Sequence, residues 1–289
     1  MDNTLLRKMG FSEKQIAEYN KYEKIIGDKF DAVVKDFYDK KISLDDAFVA
    51  CRKMFCDING YTIDLIVVVK CAVILKDIYT ARNLPSEIYY CTIKDIGCKV
   101  NECEKYLKVF GIFCGSWHEG FFRLYRFGMK RLQFNDAVYS GRDLTACGFT
   151  LKNGDFVSLL HIPSLGRLDY GDCLESYKTA YDFFRGKLKN GIFPVICDSY
   201  LLFPPYKECF GKDTNIGKFI GDFKVFEVTE LNTFTDSWRI FNKSYDGSTE
   251  GFPAQTSLQR NFIKYLNDGG KFGNGKGILL FDGEKVMKE

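Results

Sequence analysis

Apolar residues recur every three or four positions over the first third of the chain and every second position further on. After Ser43, residues Leu44, Ala47, Phe48, Cys51 and Phe55 keep the rhythm of a helix with one buried face. In Ser12-Glu13-Lys14-Gln15 and Ser43-Leu44-Asp45-Asp46 a serine oxygen can accept the free N–H three residues on, so both mark helix starts. Residues 61–81 predict a further helix, ended by Asn83-Leu84-Pro85; its apolar stretch from Leu65 to Leu75 reads as buried. Ser86 is expected to cap a long helix through Ile88, Cys91 and Ile96 toward Tyr106, Leu107 and Phe110.

Near residues 111–120 the texture changes. Residues 121–127 and 131–134 alternate apolar with polar positions, which predicts strands. Lys152-Asn153-Gly154-Asp155 reads as a turn, and 156–162 as a buried strand stopped by Pro163. A polar loop, 164–171, leads into a helix from Asp172 to about Leu188. A strand at 193–202, a short helix from Thr214-Asn215, a strand at 223–229 and a helix at 256–267 follow. The glycine-rich stretch 269–277 reads as a flexible connection into a last strand at 277–281. The expected class is α/β (α+β): a helical domain over 1–115, then a mixed sheet with flanking helices over 116–289.

Composition narrows the function classes. A chain of 289 residues with 46% hydrophobic and 27% charged residues is ordinary globular material for about two domains. Residues 1–115 carry 18 basic and 17 acidic side chains and the remainder 23 and 21, so neither half has the basic excess of a nucleic-acid binder. The lysines between Lys8 and Lys41 alternate with Glu13, Asp28 and Asp36, the pattern of a solvated helical face. The 11 cysteines include no C-x-x-C, and His118 and His161 stand far from Cys51/Cys56 and Cys98/Cys103. Reduced, buried thiols in a cytoplasmic protein without a structural metal are therefore expected. The start, Met-Asp-Asn-Thr, lacks a signal-peptide pattern, and Lys70 breaks the most apolar stretch well short of a membrane span.

The second half carries a series of blocks in one order. They are Arg126-Phe127-Gly128 with Arg131-Leu132-Gln133-Phe134; His161-Ile162-Pro163; Glu175-Ser176-Tyr177 with Ala180 and Phe183-Phe184; and Cys197-Asp198-Ser199-Tyr200-Leu201-Leu202. Thr214-Asn215-Ile216 with Phe219 and Phe223, and Thr256-Ser257-Leu258-Gln259-Arg260, complete the set. In this the chain resembles N-acyltransferases that pair a helical N-terminal domain with a GNAT-like C-terminal domain. Trp117 and the helix after Ser86 extend the likeness more loosely into the first half.

That resemblance implies a strand whose main chain meets the pantetheine arm of acyl-CoA, followed by a loop and helix start at the pyrophosphate. The corresponding segments are 156–162, 164–171 and the helix from Asp172, and Ser164, Gly166, Arg167, Gly171 and Asn215 become the candidate acyl-CoA ligands. The usual GNAT loop, Q/R-x-x-G-x-G/A, is replaced here by Gly166-Arg167-Leu168-Asp169-Tyr170-Gly171, and phenylalanines stand where a catalytic tyrosine is common.

Among candidate catalytic residues, His161 reads as general base or strand-end structural histidine. Glu175 is either a base acting through water or a partner of the helix dipole, and Ser199 is a candidate acid for a leaving thiolate. Cys197 shares a strand face with Ser199 and reads as packing. The resulting expectation is an acyl-CoA-dependent N-acyltransferase acting on a small-molecule or peptide amine, independent of nucleic acid and membrane. The rival is a non-catalytic GNAT-like module for ligand sensing or protein contacts.

Overall fold

The computed structural model describes residues 3–289. Two compact units result: one ends at Met129 and also takes in Pro163–Leu165, and the other comprises Lys130–Ile162 with Gly166–Glu289.

The first unit holds helices α1 (Asn3–Lys8), α2 (Glu13–Ile26), α3 (Asp31–Tyr38), α4 (Leu44–Met54), α5 (Gly60–Ala81), α6 (Ser86–Leu107) and α7 (Glu119–Phe122), then strand β1 (Arg126–Met129). Ser12 and Ser43 each close a capping box: the Gln15 N–H donates to Ser12 Oγ at 3.3 Å and the Asp46 N–H to Ser43 Oγ at 3.1 Å. Ser86 does not act as a cap. Pro85 occupies that position in an extended conformation, and Ser86 is the first helical residue. Helix α5 is the axis of the unit, with residues 62 to 69 all buried. Its Asp64 is paired with Arg52 of α4, whose Nε lies 2.8 Å from Oδ1, and its Lys70 donates to Asp31 at 2.9 Å. The expected strand over 121–127 is not formed as such. The Glu119–Arg123 ion pair (3.3 Å) spans a helical turn, and Leu124 at φ 59° ends it before β1 begins.

In the second unit, β2 (Leu132–Val138), β5 (Phe156–His161), β6 (Phe193–Ser199), β8 (Phe272–Phe281) and β7 (Lys224–Leu231) lie side by side in the order β2-β5-β6-β8-β7. The β5–β6 pair is parallel and the others antiparallel, so the sheet is mixed, as expected. A hairpin of β3 (Leu144–Ala146) and β4 (Phe149–Leu151) was not foreseen in the sequence; its two turn residues, Cys147 and Gly148, both take positive φ. The remaining helices are α8 (Tyr170–Phe184), α9 (Lys207–Phe210), α10 (Asn215–Ile220), α11 (Ser237–Phe241) and α12 (Ser257–Asn267). Helix α8 gives way at Arg185 to a 3-10 turn, earlier than the predicted Leu188, and β6 turns at Tyr200 instead of running to Leu202.

Alternation assigns the two faces of this sheet. Phe134, Phe193 and Phe281 meet Tyr177 and Phe184 of α8, whereas Val157, Ile196, Ile278 and Leu280 cluster with Ala146, Phe149 and Leu151 of the hairpin. The glycine-rich stretch is strand, not a flexible connection. Glycines at every second position of β8 leave room for the turn that leads out of β6. A Cβ on Gly275 would collide with the Leu202 carbonyl oxygen, and one on Gly273 with the Phe203 ring.

Candidate active site

The parallel pair β5–β6 is in register at Ser158↔Val195, Leu159↔Ile196 and Leu160↔Cys197. Pairing stops there, while β5 continues to His161 and β6 to Ser199. The last residues of the two strands, His161 and Ser199, thus lie just past the end of their mutual register. His161 follows Val157 and Leu159 onto the hairpin face and is half-buried; Ser199 follows Phe193 and Cys197 onto the α8 face. The two candidates therefore flank the end of the strand pair from opposite sides.

Ser199 opens the 3-10 turn Tyr200–Leu202, its Oγ accepting the Leu201 N–H at 3.2 Å. Cys197 is fully enclosed, and burial pushes its thiol far above the ordinary range. Such an environment favours the neutral thiol, in keeping with a packing role. Glu175 sits on the exposed face of α8; the inward neighbour is Ser176, which accepts the Arg131 N–H at 3.0 Å.

The loop before α8 is engaged with its own unit. The Asp169 carboxylate accepts the Gly171 N–H at 2.9 Å and the Asp172 N–H at 3.4 Å, so it caps α8 and starts the helix at Tyr170. Arg131 reaches back to the loop, donating to the carbonyl oxygens of Gly166 (3.0 Å) and Arg167 (3.2 Å). Arg167 and Gly171 are exposed, as is Ser164, which groups with the first unit. Arg260 likewise holds backbone carbonyls, those of Ala254 and Gln255, and Arg126 lies over the Trp117 ring at 3.5 Å. Asn215 is the first residue of α10, which is capped by Thr214 through the Gly217 N–H at 3.0 Å.

Beyond Ser199 a cavity of about 680 Å³ opens. Leu201, Leu202, Phe203, Phe210, Ile220 and Phe223 give it an apolar floor, and Lys207, Lys212 and Lys218 stand at its rim. At one wall the buried Asp222 accepts from Tyr170 Oη (3.0 Å) and Lys288 Nζ (2.8 Å). Burial raises the Asp222 carboxyl above its ordinary range, against the opposing pull of Lys288. Sequence reasoning missed this cavity. The available signal was three lysines at intervals of five or six residues right after an apolar run, spread over segments that only the fold brings together.

Residues 124–279 match the family model of the GNAT-like C-terminal domain, and residues 2–124 match that of the N-acyltransferase N-terminal domain. No curated protein matches the chain. A solved acyltransferase in complex with decanoyl-CoA and teicoplanin is similar at 17% identity and a TM-score of 0.71, over 99% of this chain and 87% of that one. A second, an acyltransferase in complex with CoA and 10C-teicoplanin, gives 18% and 0.71 over 96% and 86%. A mutant acyltransferase bound to octanoyl-CoA gives 18% and 0.70 over the same shares. The likeness to these structures is one of fold. Among the described residues no helix is long and apolar enough to cross a membrane.

Proposed function

The chain belongs to the GNAT-like C-terminal domain family and is an acyltransferase, and we propose that it moves the acyl group of an acyl-CoA onto an amine in the cytoplasm. The observation that carries this reading is the end of β5–β6 pairing at Leu160↔Cys197, with His161 and Ser199 on opposite faces beyond it. In the GNAT-like fold this parallel strand pair is where the resemblance places the pantetheine arm of the donor. Solved relatives of the same fold are complexes with CoA and with decanoyl- and octanoyl-CoA, which supports the thioester as donor. Their teicoplanin complexes support a small-molecule or peptide acceptor.

In this reading the amine nitrogen attacks the thioester carbonyl carbon, a C–N bond forms, and the C–S bond breaks. Addition gives a tetrahedral carbon that carries both the nitrogen and the sulfur, so one group must take a proton from the nitrogen and another can supply one to the sulfur. His161, on the hairpin face, takes the ammonium proton from the amine. Ser199, on the α8 face, delivers a proton to the departing sulfur and recovers it from solvent. Glu175 is too exposed to share in this, and Asn215, the first residue of α10, is not among the residues that line the cavity. A sensing module would not turn over a thioester.

The test is incubation with acetyl-, octanoyl- and decanoyl-CoA and a pool of amines that includes glycopeptides, followed by mass spectrometry. Amide products with the mass of the supplied acyl group are expected. Release of CoA without any amide, or no reaction with all three donors, would defeat the proposal.

A further inference from the structure

Three of the lysines around the α9–α10 cavity are unspent. Lys288 is engaged by the Gly221 carbonyl and the Asp222 carboxylate. The ammonium groups of Lys207, Lys212 and Lys218, by contrast, make no ion pair or hydrogen bond among the described residues, and all three are exposed at the rim. Glu208 and Asp213, their neighbours in sequence, are not part of the lining. The one lining carboxylate, Asp222, is matched by Lys288, so the cavity mouth keeps an excess of three positive charges above an apolar floor.

The start of α8 offers an anion much less. Asp169 already holds the Gly171 and Asp172 N–H groups and brings its own negative charge, with Asp172 beside it. Part of the cavity wall directly follows the end of β6, where Leu201 and Leu202 lie just past Ser199, and Tyr170 at the start of α8 adds to it. A ligand arm leaving the strand gap on the Ser199 face would run into this cavity.

We infer that Lys207, Lys212 and Lys218 receive the phosphate groups of the acyl donor, so that the polyanionic nucleotide end of CoA is held by side-chain ammonium groups at the α9–α10 cavity and not by the N-terminus of α8. The inference rests on the acyl-CoA reading above. It assigns the lysines a binding role on the donor side and leaves the reacting atoms to the strand ends. Each ammonium–phosphate contact is charge-assisted, and at an exposed rim it is weakened by salt.

The probes are CoA, adenosine 3′,5′-bisphosphate and acetyl-pantetheine, the last a thioester without phosphates. Calorimetric binding of the first two is measured for the full chain, for Lys212→Glu/Lys218→Glu, for that pair with Lys207→Glu, and for Lys178→Glu, an exposed α8 lysine outside the cavity. Thermal unfolding shows that each variant is folded; exposed lysines make this the expected result. Affinity for both nucleotides should fall at least about tenfold in the double variant and further in the triple, with Lys178→Glu unchanged. Turnover of acetyl-pantetheine should stay as in the parent chain. Equal nucleotide affinity in parent and triple variant would overturn the inference while leaving acyl transfer intact, and so would failure of the parent chain to bind either nucleotide. Lysine-dependent binding without any thioester turnover would uphold this site and defeat the acyl-transfer reading instead.

Discussion

Arg131 donates through Nη2 to the Gly166 carbonyl oxygen at 3.0 Å, so the loop leaving β5 is clamped by a residue at the start of β2. The same guanidinium holds Arg167 through its carbonyl at 3.2 Å. Arg131→Ala should destabilise the second unit by about 2 kcal/mol, since hydrogen bonds to charged groups are worth roughly 1.5–3. Trypsin should then cut faster after Arg167, and the KM for acyl-CoA should rise. An unchanged cleavage rate would show that the loop is ordered by other means.

Gly275 has no room for a side chain, because the Leu202 carbonyl oxygen lies where a Cβ would go. Gly275→Ala must lift the Tyr200–Leu202 turn from β8 or distort the strand, at about 1–3 kcal/mol by analogy with overpacked cores. The turn carries the N–H that binds Ser199, so acyl transfer should decline together with the melting temperature. A variant as stable and active as the parent chain would mean the turn is free to shift.

His161→Ala should lower kcat by about 10²–10⁴ and leave KM for the donor near its original value, as loss of a general base does. Ser199→Ala should cost about tenfold or less, because a thiol with an ordinary pKa of about 8.5 leaves with little help. Glu175→Gln should change nothing. Equal kcat for His161→Ala and the parent chain would remove His161 from the chemistry.

His118 is fully buried, with Nδ1 3.0 Å from the Gly115 carbonyl oxygen and Nε2 3.5 Å from Asp95. Burial holds its pKa down from 6.5 to about 4, only partly offset by Asp95. Between these two values the unfolded chain binds a proton that the folded chain does not. The stability contribution is therefore whole above pH 6.5 and lost as pH falls toward 4, at about 1.4 kcal/mol per unit. Urea unfolding of the parent chain and His118→Asn at pH 7, 5.5 and 4.5 checks this; the variant should show the shallower decline. Parallel declines would assign the acid sensitivity to other groups.

Arg52→Ala should destabilise the first unit by about 3 kcal/mol, because it strands Asp64, whose side chain is only 4% exposed. Arg52→Ala with Asp64→Leu should recover much of the loss. No recovery would show that the carboxylate is not what makes the single variant unstable.

The helices and strands with clear periodicity were legible because each has a local cause: Ser12 and Ser43 cap, and the 156–162 run is bounded by Gly154 and Pro163. Ser86 misled because Pro85, with its fixed φ, had already taken the cap. Phe121 and Phe122 misled because alternation over a few aromatics is equally compatible with one turn closed by Glu119 and Arg123. Residues 273–277 looked like a linker because glycine signals flexibility in isolation; here it marks the approach of another segment, which only tertiary structure supplies. His161 was legible as a strand-end residue and Ser199 only as a residue within a longer strand, and their opposite facing follows from the β5–β6 register. The lysine rim depends on α9 and α10 converging, and no local pattern encodes that.

Helix α5 has neighbours on every side along residues 62 to 69, so it has no solvent face on which to detach by itself. Isolated helices gain little from propensity alone, and this one would expose a long apolar surface. Its amide hydrogens should exchange only through opening of the whole first unit, and so report the global unfolding free energy, while those of α1 exchange through local fraying. A chain cut between α4 and α5 would leave two aggregation-prone pieces and no smaller folded core.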